Sequence, residues 1–163
     1  MDGGSRRWFL IKLSVACASL ASAAAFFQRK AAGQPVAPVE TSRIAGVAIS
    51  GHDAVAYFTN SKPVMGRREF SLSHEGAEWW FATAENRARF QANPARYAPQ
   101  FGGYCSWAVS QGYTASADPE AWAIRDGKLY LNYDKSIQER WATDIPGHIA
   151  KGNTHWPTLV GKK

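Results

Sequence analysis

One cysteine and a set of histidines carry most of the metal-binding potential of this chain. Cys105 follows the loop Gly102, Gly103 and Tyr104 and precedes a short predicted helix over residues 106–109. Thiolate and imidazole groups select soft metals such as copper. Backbone N–H groups at a helix start favour a thiolate, so the sequence predicts a lowered pKa for Cys105.

The candidate partners of Cys105 are scattered along the sequence. His52 stands beside Asp53 in a predicted turn, where a carboxylate can orient an imidazole. His74 alternates in phase with Phe70 and Leu72, which predicts a partly buried strand histidine. Met65, His148 and His155 complete the donors, the two last on a terminal segment expected to be exposed. No C-x-x-C or H-x-x-x-H spacing fixes a ligand set, so copper or another soft metal is one hypothesis and an unidentified small ligand is another.

Catalysis is not expected. The glycine loop lacks the lysine and hydroxyl of a P-loop, and no nucleophile elbow is present. Asp118 and Glu120 lie two positions apart and could form the acid pair of a hydrolase. The dipeptide Asp118-Pro119, however, is more typical of a turn. For Cys105 itself, a buried structural role stays open beside a functional one, because free cysteine is often buried.

The first 25 residues have the pattern of a twin-arginine export signal. Arg6 and Arg7 precede an uncharged run of 15 residues from Leu13 to Phe27, which is shorter than the ~20 residues of a spanning helix. Small residues around Ala25 offer a cleavage site, although retention as an anchor stays open. The sequence predicts a periplasmic or secreted protein without a stable membrane span in its mature form. Cleavage would remove Cys17 and leave Cys105 without an intramolecular disulfide partner.

The charge balance gives little support for a nucleic-acid partner. The chain has 19 Lys and Arg against 13 Asp and Glu, a net charge of +6. Loss of residues 1–25 leaves +4, and the basic residues are spread along the chain rather than clustered.

Residues 26–42 predict a flexible linker, since they hold few large apolar side chains. Residues 43–160 predict one small α+β domain with two β-hairpins packed against short helices around an aromatic-rich core. The first hairpin turns at Glu75-Gly76, and Thr83 starts a helix after it. The second turns at Asp126-Gly127, which pairs Ile124 with Leu129 and Trp122 with Leu131.

The last predicted helix begins after Asp134, and a buried stripe of Ile137, Trp141 and Ile145 runs along it until Pro146 ends it. Six of the seven tryptophans lie after the signal segment. Large aromatic side chains bury large areas, so most of them are expected in the core.

Residues 70–97 contain a distinctive aromatic pattern, the string Glu75-Gly76-Ala77-Glu78-Trp79-Trp80-Phe81 followed by Phe90 and Asn93-Pro94-Ala95-Arg96-Tyr97. In this pattern the segment resembles a YHS domain. The segments 51–58, 102–105, 118–122 and 129–132 are similar to an extended, exported bacterial branch of that family. The resemblance therefore covers nearly all of the predicted mature chain.

The resemblance implies a metal-associated domain, yet the implied ligands are missing. Metal-associated members place one cysteine just after the aromatic strand and another four positions later. Those positions are Ala82 and Asn86 here, and neither side chain is a soft-metal ligand.

Two hypotheses of function follow. The first is an exported, non-catalytic binding protein for a copper-like metal ion or a small ligand, held by Cys105 with His52 or His74 and the loop 102–104. The second is a periplasmic protein-interaction or enzyme-accessory module that binds no metal.

Overall fold

The computed structural model describes residues 35–161, which form four strands and six helices. The strands are β1 (Arg67–His74), β2 (Ala77–Phe81), β3 (Asp118–Arg125) and β4 (Lys128–Asn132). The helices are α1 (Ala56–Thr59), α2 (Ala84–Ala92), α3 (Pro94–Tyr97), α4 (Ser106–Ser110), α5 (Lys135–Ala142) and α6 (Ile145–Leu159). Short 3-10 turns span Ala48–Gly51 and Gln100–Gly103.

The two hairpins are separate antiparallel sheets within the described residues. β1 pairs with β2, and β3 pairs with β4. In the second hairpin Ile124 lies opposite Leu129 and Trp122 opposite Leu131, which confirms the predicted register. Asp126 and Gly127 both have positive φ, as a tight hairpin turn requires. The predicted α+β class is confirmed.

Thr83 joins the first hairpin to α2. Its Oγ1 accepts a hydrogen bond from the N–H of Asn86 at 3.1 Å, a side-chain cap that starts the helix as predicted. The helix ends before Pro94, and the chain restarts at once as α3 with this proline in its first turn.

Strand β4 lies between two hydrophobic clusters. Leu129 and Leu131 point into the first cluster, whereas Tyr130 between them packs in the second. Alternate side chains of a strand point to opposite faces of the sheet, so residues 129–131 contribute to both clusters. The large buried side chains of the first cluster are Tyr57, Trp79, Phe81 and Phe90. The second is built on Phe101, Val109, Tyr130 and Trp141.

The C-terminal segment departs from its prediction. Pro146 does not end a helix but lies in the first turn of α6, where a proline has no helical hydrogen bond to lose. The predicted apolar stripe is therefore split between two helices. Trp141 is buried on α5, and Ile145 is the first residue of α6. α6 packs against α4, so His148 and His155 are half-buried rather than exposed.

The described part of the predicted linker packs on the domain. The N–H of Val36 donates to the Leu159 carbonyl, and the N–H of Glu40 donates to the Gly102 carbonyl, both at 2.9 Å. Val39 is 3% exposed and belongs to the first hydrophobic cluster. Residues 36–40 are therefore part of the folded unit. Residues 1–34 lie outside the described chain, and with them the predicted signal segment and the rest of the linker.

Between residues 35 and 161, none of the helices has both the length and the apolar character needed to cross a bilayer.

Candidate functional site: an apolar cleft over Cys105

Cys105 starts helix α4 and lies at the floor of a cleft. The residue is 1% exposed, and its Sγ accepts a hydrogen bond from the N–H of Ala108 at 3.5 Å. A parallel bridge to Leu131 ties it to the second hairpin. The predicted position at a loop-to-helix junction is what the structure shows.

The predicted direction of the Cys105 pKa is wrong. Burial raises the pKa of the thiol, because the charged form loses its hydration. The N–H groups of Ala108 and of neighbouring residues lower the pKa, but by less than burial raises it. Cys105 is therefore a protonated thiol near neutral pH, not an activated thiolate.

The cleft above this thiol has a volume of about 240 Å³. Its wall is apolar and aromatic, and it is built from three separate parts of the chain. The lining residues are Cys105, Trp107, Ala108, Tyr113, Ala115, Tyr133 and Ile137. None of these seven carries an imidazole, a thioether or a formal charge.

Two tyrosines stand at the mouth of the cleft. Tyr113 is 48% exposed and Tyr133 is 49% exposed. Trp107 meets Tyr113 edge to face with ring centroids 6.4 Å apart. This geometry is a favourable one for aromatic pairs, and it leaves the rings as an apolar rim.

The loop Gly102, Gly103 and Tyr104 packs internally. A Cβ on Gly102 would lie 1.9 Å from the Pro38 carbonyl oxygen, so only glycine allows the N-terminal segment to approach. Tyr104 packs on Trp156 of α6 with ring centroids 5.8 Å apart. These residues orient Cys105 by fixing the chain before it, and they do not line its cleft.

The candidate histidines lie on other parts of the domain. The ring of His74 packs edge-on against Phe90 at 5.6 Å, half-buried as expected for its strand position. His148 and His155 direct Nδ1 at the carbonyls of Trp141 and Val109, at 3.0 and 3.2 Å. His52 pairs across the chain with Met65. Among residues 35–161, no group of three or more His, Cys, Asp or Glu side chains is arranged to hold a metal ion.

The two positions that the YHS resemblance marks for cysteines lie together, but they bind a carboxylate. The backbone N–H of Ala82 and the side-chain amide of Asn86 both donate to Asp53 Oδ2, at 2.8 and 2.7 Å. The N–H groups of Val55 and Ala56 donate to Oδ1 of the same residue. Asp53 is fully buried. This corner is closed by hydrogen bonds, so its donor set does not fit a soft metal.

The carboxylates considered for acid–base chemistry have structural roles. Asp118 Oδ1 accepts the N–H of Glu120 at 2.9 Å, and both residues lie in β3, so the turn predicted at Asp118-Pro119 is wrong. The buried hydroxyl of Tyr57 donates to the Pro119 carbonyl at 3.1 Å. Burial raises the pKa of Tyr57 far above its usual range, and the nearby acidic residues add to this. This tyrosine is a neutral hydrogen-bond donor.

Sequence reasoning missed most of the cleft. Tyr113, Tyr133 and Ile137 belong to a loop, a strand end and a helix, and no local motif links them. The aromatic residues Trp107 and Tyr113 close to Cys105 in the sequence were a signal that could have indicated part of the lining.

No protein-family model, no curated protein and no solved structure matches this chain.

Proposed function

We propose that this chain is an exported, non-catalytic binding protein of the YHS type, which holds a small neutral aromatic molecule in the cleft over Cys105. The observation that carries the proposal is the cleft itself, apolar, open to solvent and rimmed by half-exposed Tyr113 and Tyr133. Ligand sites are concave and mostly apolar. Tyrosine has an apolar ring and a polar tip, which makes it common in recognition sites.

The size of the cleft indicates the size of the ligand. An apolar cavity of about 150 Å³ takes benzene, and drug-sized ligands occupy about 300 Å³ or more. The volume of about 240 Å³ lies between these values. A ligand of one substituted aromatic ring fits it best, with the ring stacked on Trp107 and any hydroxyl directed to the tyrosine rim.

The lining gives no support to copper binding at Cys105. A buried protonated thiol must lose its proton to bind a metal. The other six lining residues supply no second soft donor. We therefore do not propose that this cleft binds copper.

Two features support the wider assignment. The residues that resemble a YHS domain fall on one continuous unit, β1, β2, α2 and α3, with the motif aromatics Trp79, Phe81 and Phe90 packed together. The Arg6-Arg7 pair supports export by the twin-arginine route.

Replacing both arginines with lysine should leave the precursor in the cytoplasm of a bacterial host, and an unchanged periplasmic yield would contradict that route.

Calorimetric titration with p-cresol tests the ligand proposal. We expect binding with a Kd of about 1 mM or tighter for a molecule of this size. Ala115→Leu places a larger side chain in the cleft and should abolish the binding. Ala95→Leu enlarges an alanine outside the cleft and should leave it unchanged.

Benzoate is the matched control ligand. It has a similar ring but carries a charge, and the lining residues hold no cation to pair with it. Benzoate should therefore bind far more weakly than p-cresol. Equal binding of both compounds, or p-cresol binding that survives Ala115→Leu, would contradict the proposal.

A protein partner is the second candidate, because Tyr113 and Tyr133 are exposed enough to dock one. Interfaces are enriched in tyrosine and tryptophan. Under this alternative p-cresol releases no heat with the unchanged chain, with Ala115→Leu or with Ala95→Leu. Substitution of Tyr113 or Tyr133 disrupts the complex with the partner, whereas substitution of Ala115 does not.

A further inference from the structure

His52 and Met65 form an isolated antiparallel bridge outside the two hairpins. The N–H of Asp53 donates to the Val64 carbonyl, and the N–H of Gly66 donates to the Gly51 carbonyl, each at 2.8 Å. These two bonds enclose His52 and Met65, which pair as an antiparallel bridge. A pair enclosed in this way makes no mutual backbone bonds, and its side chains approach most closely, with Cβ atoms about 5 Å apart.

The tautomer of His52 leaves one nitrogen available as a ligand. Nδ1 lies 3.1 Å from the Ile49 carbonyl oxygen. A carbonyl only accepts, so Nδ1 carries the proton and donates. In the neutral ring Nε2 therefore holds a lone pair. Histidines that bind metals are oriented in the same way, through a bond from the other ring nitrogen to a carbonyl or carboxylate.

Met65 is the most exposed large apolar residue of the described chain, at 55%. A Cβ built on Gly51 would lie 3.5 Å from Met65 Sδ and 2.8 Å from Cε3 of Trp80. The Met65 thioether and the Trp80 ring therefore both lie close to this glycine. The glycine is required there, because any side chain would displace the indole.

We propose that His52 Nε2 and Met65 Sδ form a surface site for a soft monovalent cation, Cu(I) or Ag(I). Thioether sulfur selects Cu(I) over harder ions, and imidazole binds copper well. The Trp80 ring lies near the same glycine as the thioether, and aromatic rings attract cations. The methionine is exposed and unbranched, so its side chain is free to turn toward the imidazole across the bridge.

This site is separate from the cleft over Cys105 and does not rest on the proposed function. It also differs from the positions Ala82 and Asn86. Its loss would leave p-cresol binding unchanged, so the two proposals fail independently.

Titration of the full chain carrying Cys17→Ser, which removes a competing thiol, with Ag(I), followed by NMR of ¹³C-methyl methionine, tests the site. The chain has two methionines, Met1 and Met65, so the spectrum contains an internal reference. We expect the Met65 methyl signal to shift with a one-to-one stoichiometry while the Met1 signal stays in place. Zn(II) should not move the Met65 signal, because zinc does not favour thioether sulfur.

Four variants locate the ligands. Met65→Leu and His52→Gln should each weaken Ag(I) binding by about tenfold or more, measured by competition with a chromophoric chelator. His155→Gln removes a half-buried histidine with the same carbonyl contact and should leave the affinity unchanged. Cys105→Ser should also leave it unchanged. A static Met65 signal, or loss of binding in Cys105→Ser with retention in Met65→Leu, would overturn the proposal.

Discussion

At the scale of single residues, Asp53 links three parts of the domain. Its two carboxylate oxygens accept four hydrogen bonds, from Val55, Ala56, Ala82 and Asn86. The side chain is completely buried, so no water replaces it when it is removed. Loss of a buried acceptor leaves each of its donors without a partner, which is more costly than loss of an exposed hydrogen bond.

Asp53→Ala should therefore lower the free energy of unfolding by about 3 kcal/mol, measured by urea denaturation. Asn86→Ala removes one of the four donors and leaves the acceptor satisfied by the others, so its cost should be about 1 kcal/mol. A loss in Asp53→Ala no larger than in Asn86→Ala would show that this network does not hold the corner together.

The sequence predicted Asp53 in a turn where it could orient His52, but the carboxylate binds Val55, Ala56, Ala82 and Asn86, and His52 Nδ1 faces the Ile49 carbonyl. The contacts with Ala82 and Asn86 join positions about 30 residues apart. The same limit explains the wrong pKa direction for Cys105. A helix start is visible in the sequence, whereas burial depends on what the rest of the chain places around the thiol.

At the scale of elements, α6 is fixed by a close approach to the turn before α4. A Cβ on Gly152 would lie 2.6 Å from Cζ of Phe101. The Phe101 ring is 6% exposed and is held between Tyr130 and Trp156, each with its centroid 6.0 Å away. A methyl group at position 152 would therefore push this ring against its two aromatic neighbours.

Gly152→Ala should destabilise the protein although alanine is the better helix former. Overpacking costs about 1–3 kcal/mol, and the gain in helix propensity is at most about 1 kcal/mol. Asn153→Ala is the control, because this exposed neighbour gains the same kind of propensity without a clash. Thermal unfolding should give a lower Tm for the first variant and an unchanged or higher Tm for the second; a raised Tm in Gly152→Ala would contradict the packing.

Elements with strong local signals were predicted well. Asp126-Gly127 sets the second hairpin and its register, and Thr83 sets the start of α2. Helix α6 was not predicted, because Pro146 indicates a helix end as readily as a helix start. What decides between these is the packing of Ile149 and Trp156 into the second cluster, which is a tertiary contact.

At the scale of the whole molecule, the cleft is a product of the assembled fold. Its floor comes from α4, one wall from the loop after it, and the other from the end of β4 and from α5. The sequence predicted Cys105 as the position of interest, but only the packing of α5 beside α4 creates a space above it. The segment at 36–40 contributes from the other side by fixing the glycine loop before Cys105.

The buried thiol reports directly on whether this cleft is occupied. Because burial raises its pKa, the reactive thiolate fraction of Cys105 is small at neutral pH and grows as pH rises toward and through the raised pKa. For the same reason, folding favours the protonated thiol. This contribution to stability is fully present below the unfolded-state pKa and is lost as pH rises through the folded-state pKa.

The most direct measurement is the rate of Cys105 alkylation by iodoacetamide at about pH 8.5, where p-cresol, a phenol like the tyrosine side chain, is still neutral, in a Cys17→Ser chain with and without p-cresol. We predict that p-cresol slows the reaction in proportion to the fraction of cleft it fills, that benzoate does not, and that Ala115→Leu removes the protection by p-cresol. A rate that is the same at every p-cresol concentration would contradict the central claim that the cleft over Cys105 is a binding site.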